Sequence, residues 1–185
     1  GHKIHGPKGV GALYIKSGIS IPPLFFGGGQ EKNIRSGTEN TAAITGFAAA
    51  VEKLPELDQK NPQYSKIKKL KDYFLYKIIE SEDRLPKFKI NTPQNRSAPH
   101  IISLSFPNLK GEVIVHSLER DGIYISTGSA CHSKKKDKSN TLKAIDLNQS
   151  MIDGTIRISF SHLNTKEEID YTIEKMIEEL DFLNF

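Results

Sequence analysis

The stretch Gly1-His2-Lys3-Ile4-His5-Gly6-Pro7-Lys8-Gly9-Val10-Gly11-Ala12-Leu13-Tyr14 decides how the chain is read. Gly6, Gly9 and Gly11 flank Pro7 closely, so the backbone can turn tightly and approach a ligand. The apolar run from Val10 to Ile15 follows at once and predicts a short buried strand. Taken alone, these residues leave Lys3 open between a solvated surface charge and an amine held at a site; most lysines are solvated.

Outward from that stretch, residues 1 to 26 predict a turn and a strand pair, ending at Pro22-Pro23 before Leu24-Phe25-Phe26. Gly27-Gly28-Gly29-Gln30-Glu31 and Arg35-Ser36-Gly37-Thr38-Glu39-Asn40 come next. Glycines and small hydroxyls around an arginine suit a loop that offers N–H and O–H donors to an anion, and they equally suit a flexible surface loop. Thr41 to Leu54 reads as a helix of small residues, and Pro55 to Pro62 as a linker.

Beyond the linker, Ile67, Leu70, Phe74 and Ile78 recur at helical spacing in an amphipathic segment from Tyr64 to Glu80. Lys66, Lys68, Lys69 and Lys71 are interspersed with that stripe and read as its solvated face. Phe88 to Thr92 predicts a short strand, and Asn91 to Pro99 a polar loop. Ile102, Leu104 and Phe106 alternate with Ser103 and Ser105, a strand with one apolar side. Glu112 to Asp121 predicts a helix closed by Gly122, followed by a strand from Ile123 to Thr127. Gly154 to Ser161 alternates again, with Ile156, Ile158 and Phe160 inward against Thr155, Arg157 and Ser159. The final helix, Asn164 to Phe182, opens on a polar cap with Glu167 and Glu168 in its first turn.

The single cysteine, Cys131, sits in Ser126-Thr127-Gly128-Ser129-Ala130-Cys131-His132-Ser133-Lys134-Lys135-Lys136, between a strand and a short helix near Thr141 to Ile145. A lone cysteine makes neither an internal disulfide nor a cysteine-based metal cluster, so no metal site is expected, and a reducing, cytoplasmic setting is the simpler reading. The neighbouring cations favour the thiolate, which is the nucleophilic form, although exposed lysines are screened. The alternative, a buried structural cysteine, fits poorly beside three consecutive lysines.

Composition is that of an ordinary globular protein: 37% hydrophobic and 26% charged residues in 185. A formal charge of +4, spread along the chain, gives no argument for nucleic acid. No apolar run approaches the roughly 20 residues of a membrane-spanning helix. No secretory signal is expected either, since a charged start followed by an apolar run is missing.

Four motifs, in order, carry a resemblance. The Lys3 stretch resembles the cofactor-lysine motif of the cysteine desulfurases, pyridoxal-phosphate enzymes of the class V aminotransferase group. The Gly27–Thr38 segment, the Ser126–Ser133 segment and Gly154-Thr155-Ile156-Arg157-Ile158-Ser159-Phe160 are similar to three further motifs of that family. The loop length around Cys131 is that of the long-loop group, and the Arg-x-Gly-x-His-Cys pattern of the short-loop group does not match.

The resemblance implies the C-terminal part of the large domain of a fold-type I α/β enzyme, residues 1–60, followed by a small α+β domain with an antiparallel sheet, residues 61–185. It implies that Lys3 binds pyridoxal 5'-phosphate covalently, that His2 lies near the phosphate, and that Thr38 binds the phosphate of a partner subunit in a homodimer. Arg157 would hold the carboxylate of L-cysteine, and Cys131 would accept its sulfur as a persulfide, leaving L-alanine. The implied acceptors are iron–sulfur scaffold or tRNA-thiolation proteins. Because the family's enzymes are about twice this length, a C-terminal fragment with little or no bound cofactor of its own is expected. Another class V enzyme, an aminotransferase or selenocysteine lyase, would keep Lys3 without needing a thiol in that loop, and a non-catalytic folded module is the remaining alternative.

Overall fold

A computed structural model describes residues 1–54, 61–128 and 139–183. The chain divides into two units, Gly1–Glu56 and Leu57–Phe185.

In the first unit the one regular element beyond two 3-10 turns is helix α1, Thr41–Glu52. Asn40 caps it, its side-chain oxygen accepting from the Ala43 N–H at 3.1 Å. The run from Val10 to Ile15 forms no strand, contrary to the expectation of a strand pair. A strand needs a ladder partner, and the described residues supply none; the only pairing in this unit is an isolated parallel bridge between Phe25 and Arg35. Its apolar side chains are accordingly open: Leu13, Tyr14, Leu24 and Phe26 are 73–86% exposed, and no residue among 1–54 is fully buried.

The second unit is an antiparallel sheet packed on helices. Its strands are β1 (Lys89–Ile90), β2 (Ile101–Ser105), β3 (Ser126–Thr127) and β4 (Thr155–Ser159), in the order β1-β2-β4-β3. Helices α2 (Pro62–Glu80), α3 (Gly111–Arg120) and α6 (Lys166–Leu183) are long; α4 (Asn140–Ala144) and α5 (Gln149–Asp153) are short. The period-2 alternation of β2 and β4 places Ile102, Leu104, Ile156 and Ile158 on one face. There they meet Leu70, Phe74 and Ile78 of α2, Ile114 and Leu118 of α3, and Ile169, Ile173, Met176 and Leu180 of α6. The rings of Phe74 and Phe160 meet edge to face at 5.8 Å, joining α2 to the end of β4.

Helix ends follow local chemistry. Pro62 opens α2 behind the Asn61 cap. At α6 the Thr165 hydroxyl accepts from the Glu168 N–H while the Glu168 carboxylate accepts from the Thr165 N–H, a reciprocal capping box. Gly122, at φ +75°, ends α3 by donating to Glu119, as expected of a glycine there.

Three residues depart from their expected solvation. Lys71 is 5% exposed, and its ammonium donates to Ser97 Oγ at 2.8 Å and to the Ala98 carbonyl at 2.7 Å. It turns off the solvated face of α2 to hold the loop before β2. Ser105 and Thr155, on the polar side of the sheet, are also buried. Leu142 of α4 and the Met151 carbonyl of α5 cover that end of the face.

Candidate active site

Lys3 lies on a 3-10 turn, His2–Ile4, closed by Ile4 and Gly6 N–H groups donating to the Gly1 carbonyl at 3.1 and 3.0 Å. His5 ends the turn in the left-handed region, φ +65°. A side chain at Gly1 would meet the Pro7 carbonyl oxygen at 2.9 Å and Val10 Cγ1 at 3.1 Å, so the return of the chain past Gly1 depends on glycine. One at Gly46 would meet Pro7 Cγ at 2.8 Å, which shows how closely α1 packs on this turn. His2 and Lys3 are exposed on that knot.

Thr38 stands at the end of a folded arginine loop. Arg35 lies 5.5 Å from the centroid of the Phe25 ring and donates to the Ser36 carbonyl; the Gln30 side chain accepts from the Gly37 N–H at 3.1 Å. Glu31, Lys32 and Asn33 are all in the left-handed region, at φ +48°, +56° and +64°. Three such residues in a row cost roughly 1–2 kcal/mol each. Thr38 is exposed two positions before the Asn40 cap, on the approach to the N-terminus of α1. Among the described residues neither its hydroxyl nor the Lys3 amine makes a hydrogen bond within the unit.

Arg157 occupies the sheet face opposite the helices. Register places it directly across from Ser103 on β2 and Ser126 on β3, and Asn91 is hydrogen-bonded across from Ser103. A row of Asn91, Ser103, Arg157 and Ser126 thus crosses the sheet. Arg157 is exposed, and no described carboxylate forms an ion pair with it. A planar guanidinium left unpaired among hydroxyls can take a carboxylate through two N–H groups. The row itself escaped the sequence reading: the alternation put Arg157 and the serines on one side of their own strands, but only the pairing register makes them neighbours.

Lys3, His2 and Thr38 belong to the first unit and Arg157 to the second. Cys131 and the lysines after it lie outside the described residues. His100, just ahead of β2, is exposed, and its backbone carbonyl accepts from the Phe160 N–H.

The donor set suits the cofactor implied by resemblance. An aldehyde requires a primary amine, which Lys3 presents; a phosphate requires donors and positive charge, which His2, Thr38 and the approach to α1 present.

The family model described as Aminotransferase class-V matches residues 1–172. The chain is 41% identical over 183 residues to the cysteine desulfurase IscS of Dictyoglomus turgidum, covering 97% of this chain and 45% of that protein. It is 42% identical over 176 residues to the cysteine desulfurase IscS of Clostridium botulinum, covering 94% and 43%. Among solved structures, a NifS-like protein superposes with a TM-score of 0.77 at 37% identity, over 98% of this chain and 45% of that one. A NifS-like protein from Rickettsia africae gives 0.73 at 31% identity, over 88% and 41%. The chain therefore spans somewhat less than half the length of the relatives it matches. By the reach of the family match and the identity to these desulfurases along nearly all of its length, the chain belongs to the class-V aminotransferase family.

Proposed function

We propose that this chain serves a pyridoxal-phosphate-dependent cysteine desulfurase that converts L-cysteine to L-alanine and passes the sulfur on as a persulfide. The observation that carries the reading is Arg157: an arginine without a carboxylate partner among the described residues, set in register between two serines on an open sheet face. That is the arrangement an amino acid's carboxylate requires.

Bound pyridoxal phosphate supplies the electron sink for chemistry at the substrate's α-carbon. Lys3 would hold the aldehyde, and its free amine would take and return the proton at the substrate's α-carbon. His2 would lie near the phosphate of its own subunit, and Thr38 would bind that of the partner subunit. Arg157 fixes the carboxylate and so orients the Cα–Cβ–Sγ arm. The Cys131 thiolate attacks the substrate sulfur: an S–S bond forms, the Cβ–S bond breaks, and a proton delivered to the former Cβ gives alanine. The outer sulfur of the persulfide then passes to a sulfur-acceptor protein, an iron–sulfur scaffold or a tRNA-thiolation protein, with the Cys131 thiolate as the leaving group.

The enzyme would be a homodimer, since Thr38 serves the partner subunit's phosphate, and cytoplasmic, since Cys131 works as a reduced thiol. The open apolar side chains of the first unit support an assembled state that covers them. No described helix is long and apolar enough to cross a membrane. Intact-mass and peptide analysis of the full-length enzyme after L-cysteine tests the proposal. One added sulfur on the Cys131 peptide, absent in Lys3→Ala, is expected; an unmodified Cys131 during continued turnover contradicts it.

A further inference from the structure

The hydrogen bonds around Asn91 form a chain with a fixed direction. Thr155 Oγ1 donates to the Met151 carbonyl at 2.7 Å. Its contact with Ser105 Oγ, 2.8 Å, must then use the Ser105 proton. Ser105 in turn accepts from Asn91 Nδ2 at 2.8 Å, so the Asn91 amide turns its nitrogen to the serines, with its Oδ1 buried and unpartnered among the described residues. The second proton of the same Nδ2 goes to Ser103 Oγ at 3.2 Å.

Ser103 is therefore an acceptor toward Asn91, and its own hydroxyl proton has no recipient among the described residues. Its backbone is pinned on the same side: the N–H donates to Thr92 Oγ1 at 2.8 Å, and the carbonyl accepts from the Asn91 N–H at 2.9 Å. Across the strand, Ser103 is the in-register neighbour of Arg157, where side chains at opposed positions stand about 5 Å apart. An anion bound by the guanidinium would lie within reach of the Ser103 hydroxyl proton, which has no recipient among the described residues.

We propose that Ser103 is a substrate-binding residue, its hydroxyl donating to the carboxylate held by Arg157, and that Asn91 is the positioning residue that turns Ser103 into a donor. The proposal rests on the assignment of Arg157 to the substrate carboxylate. It makes the site selective for a carboxylate over its neutral amide, since both partners on the protein are donors and the amide nitrogen offers no acceptor.

The test uses the full-length enzyme with bound cofactor and two competitive ligands, L-alanine and L-alaninamide. Ser103→Ala is expected to weaken L-alanine about tenfold or more, the effect of losing one hydrogen bond to a charged group, and to leave L-alaninamide within about twofold. Ser103→Thr restores L-alanine binding. Asn91→Ala weakens L-alanine in the same selective way and adds nothing when Ser103→Ala is already present. A general disturbance of the fold would weaken both ligands, so the ratio reports positioning. Arg157→Lys separates the two layers of the argument. If Arg157→Lys loses L-alanine while Ser103→Ala does not, the role of Ser103 is refuted and that of Arg157 stands. If Arg157→Lys binds L-alanine as the wild type does, the carboxylate assignment fails and takes the proposal with it.

Discussion

Ser105 Oγ and Thr155 Oγ1 lie 2.8 Å apart in register on neighbouring strands, both fully buried on the side of the sheet that the sequence marks as polar. The pair converts what would be two unsatisfied hydroxyls into a link between Asn91 and the Met151 carbonyl. Ser105→Ala removes the donor to Thr155 Oγ1 and leaves an Asn91 proton without its acceptor, and is expected to cost about 1–3 kcal/mol. Combined with Thr155→Val, which removes the other partner, the loss should fall short of the sum of the single losses. Urea unfolding of the four proteins checks this; strict additivity would mean that the link contributes nothing.

Lys71 makes a stability prediction with a definite sign. Its burial, more than the neighbouring Lys68 charge, pulls its pKa below the ordinary lysine value, partly offset by Asp72. The folded state therefore releases the Lys71 proton at lower pH than the unfolded state does. Between the lowered value and the ordinary one, the unfolded chain holds more protons, and stability rises with pH. Below that window Lys71 is charged in both states, and the cost of burying the charge is fully present. Relative to Lys71→Met, the wild type is expected to gain stability as pH rises from 8 toward about 10.5. A difference between the two proteins that is flat across that range contradicts the assignment.

Loss of the Lys71 ammonium also frees the loop ahead of β2. The Ser97 hydroxyl and Ala98 carbonyl lose their partner, so amide exchange and proteolysis between Asn91 and Pro99 are expected to accelerate in Lys71→Met while exchange in α6 stays slow. Equal exchange in both proteins would show that the loop is held by other contacts.

Gly154 sets the start of β4 and thereby the position of Arg157. A Cβ there would fall on the Phe106 carbonyl oxygen and lie 2.9 Å from that of Leu109, and both obstacles are backbone. Gly154→Ala is expected to cost about 3 kcal/mol, with displacement of the β4 start. Thermal unfolding measures the loss; a cost below about 0.5 kcal/mol would mean that the two segments separate easily.

The cap of α6 is a smaller effect. Thr165→Ala removes the hydroxyl that accepts from the Glu168 N–H, and about 1 kcal/mol of stability should go with it. Thr165→Ser is expected to retain most of that, because the acceptor oxygen remains.

The sequence was most legible where one element's own periodicity settles its structure. The stripe of Leu70, Phe74 and Ile78, the alternation of Ile102 and Leu104 with serines, and the polar start of the final helix are each legible without knowledge of the pairing. It was least legible where a property depends on a second segment. Val10 to Ile15 has strand composition but no ladder partner among the described residues. Lys71 sits among solvated lysines and is buried by a loop that begins twenty residues later. Ser103 stands beside Arg157, and Asn91 beside Ser103, only through the register of the sheet.

Steady-state release of sulfide from L-cysteine, with a thiol reductant present, compares full-length wild type and Cys131→Ala most directly. A fall of at least about a hundredfold is expected, the scale for losing a covalent nucleophile, with the cofactor's absorbance unchanged. Sulfide release by Cys131→Ala at a rate near that of the wild type would contradict the proposed role of Cys131.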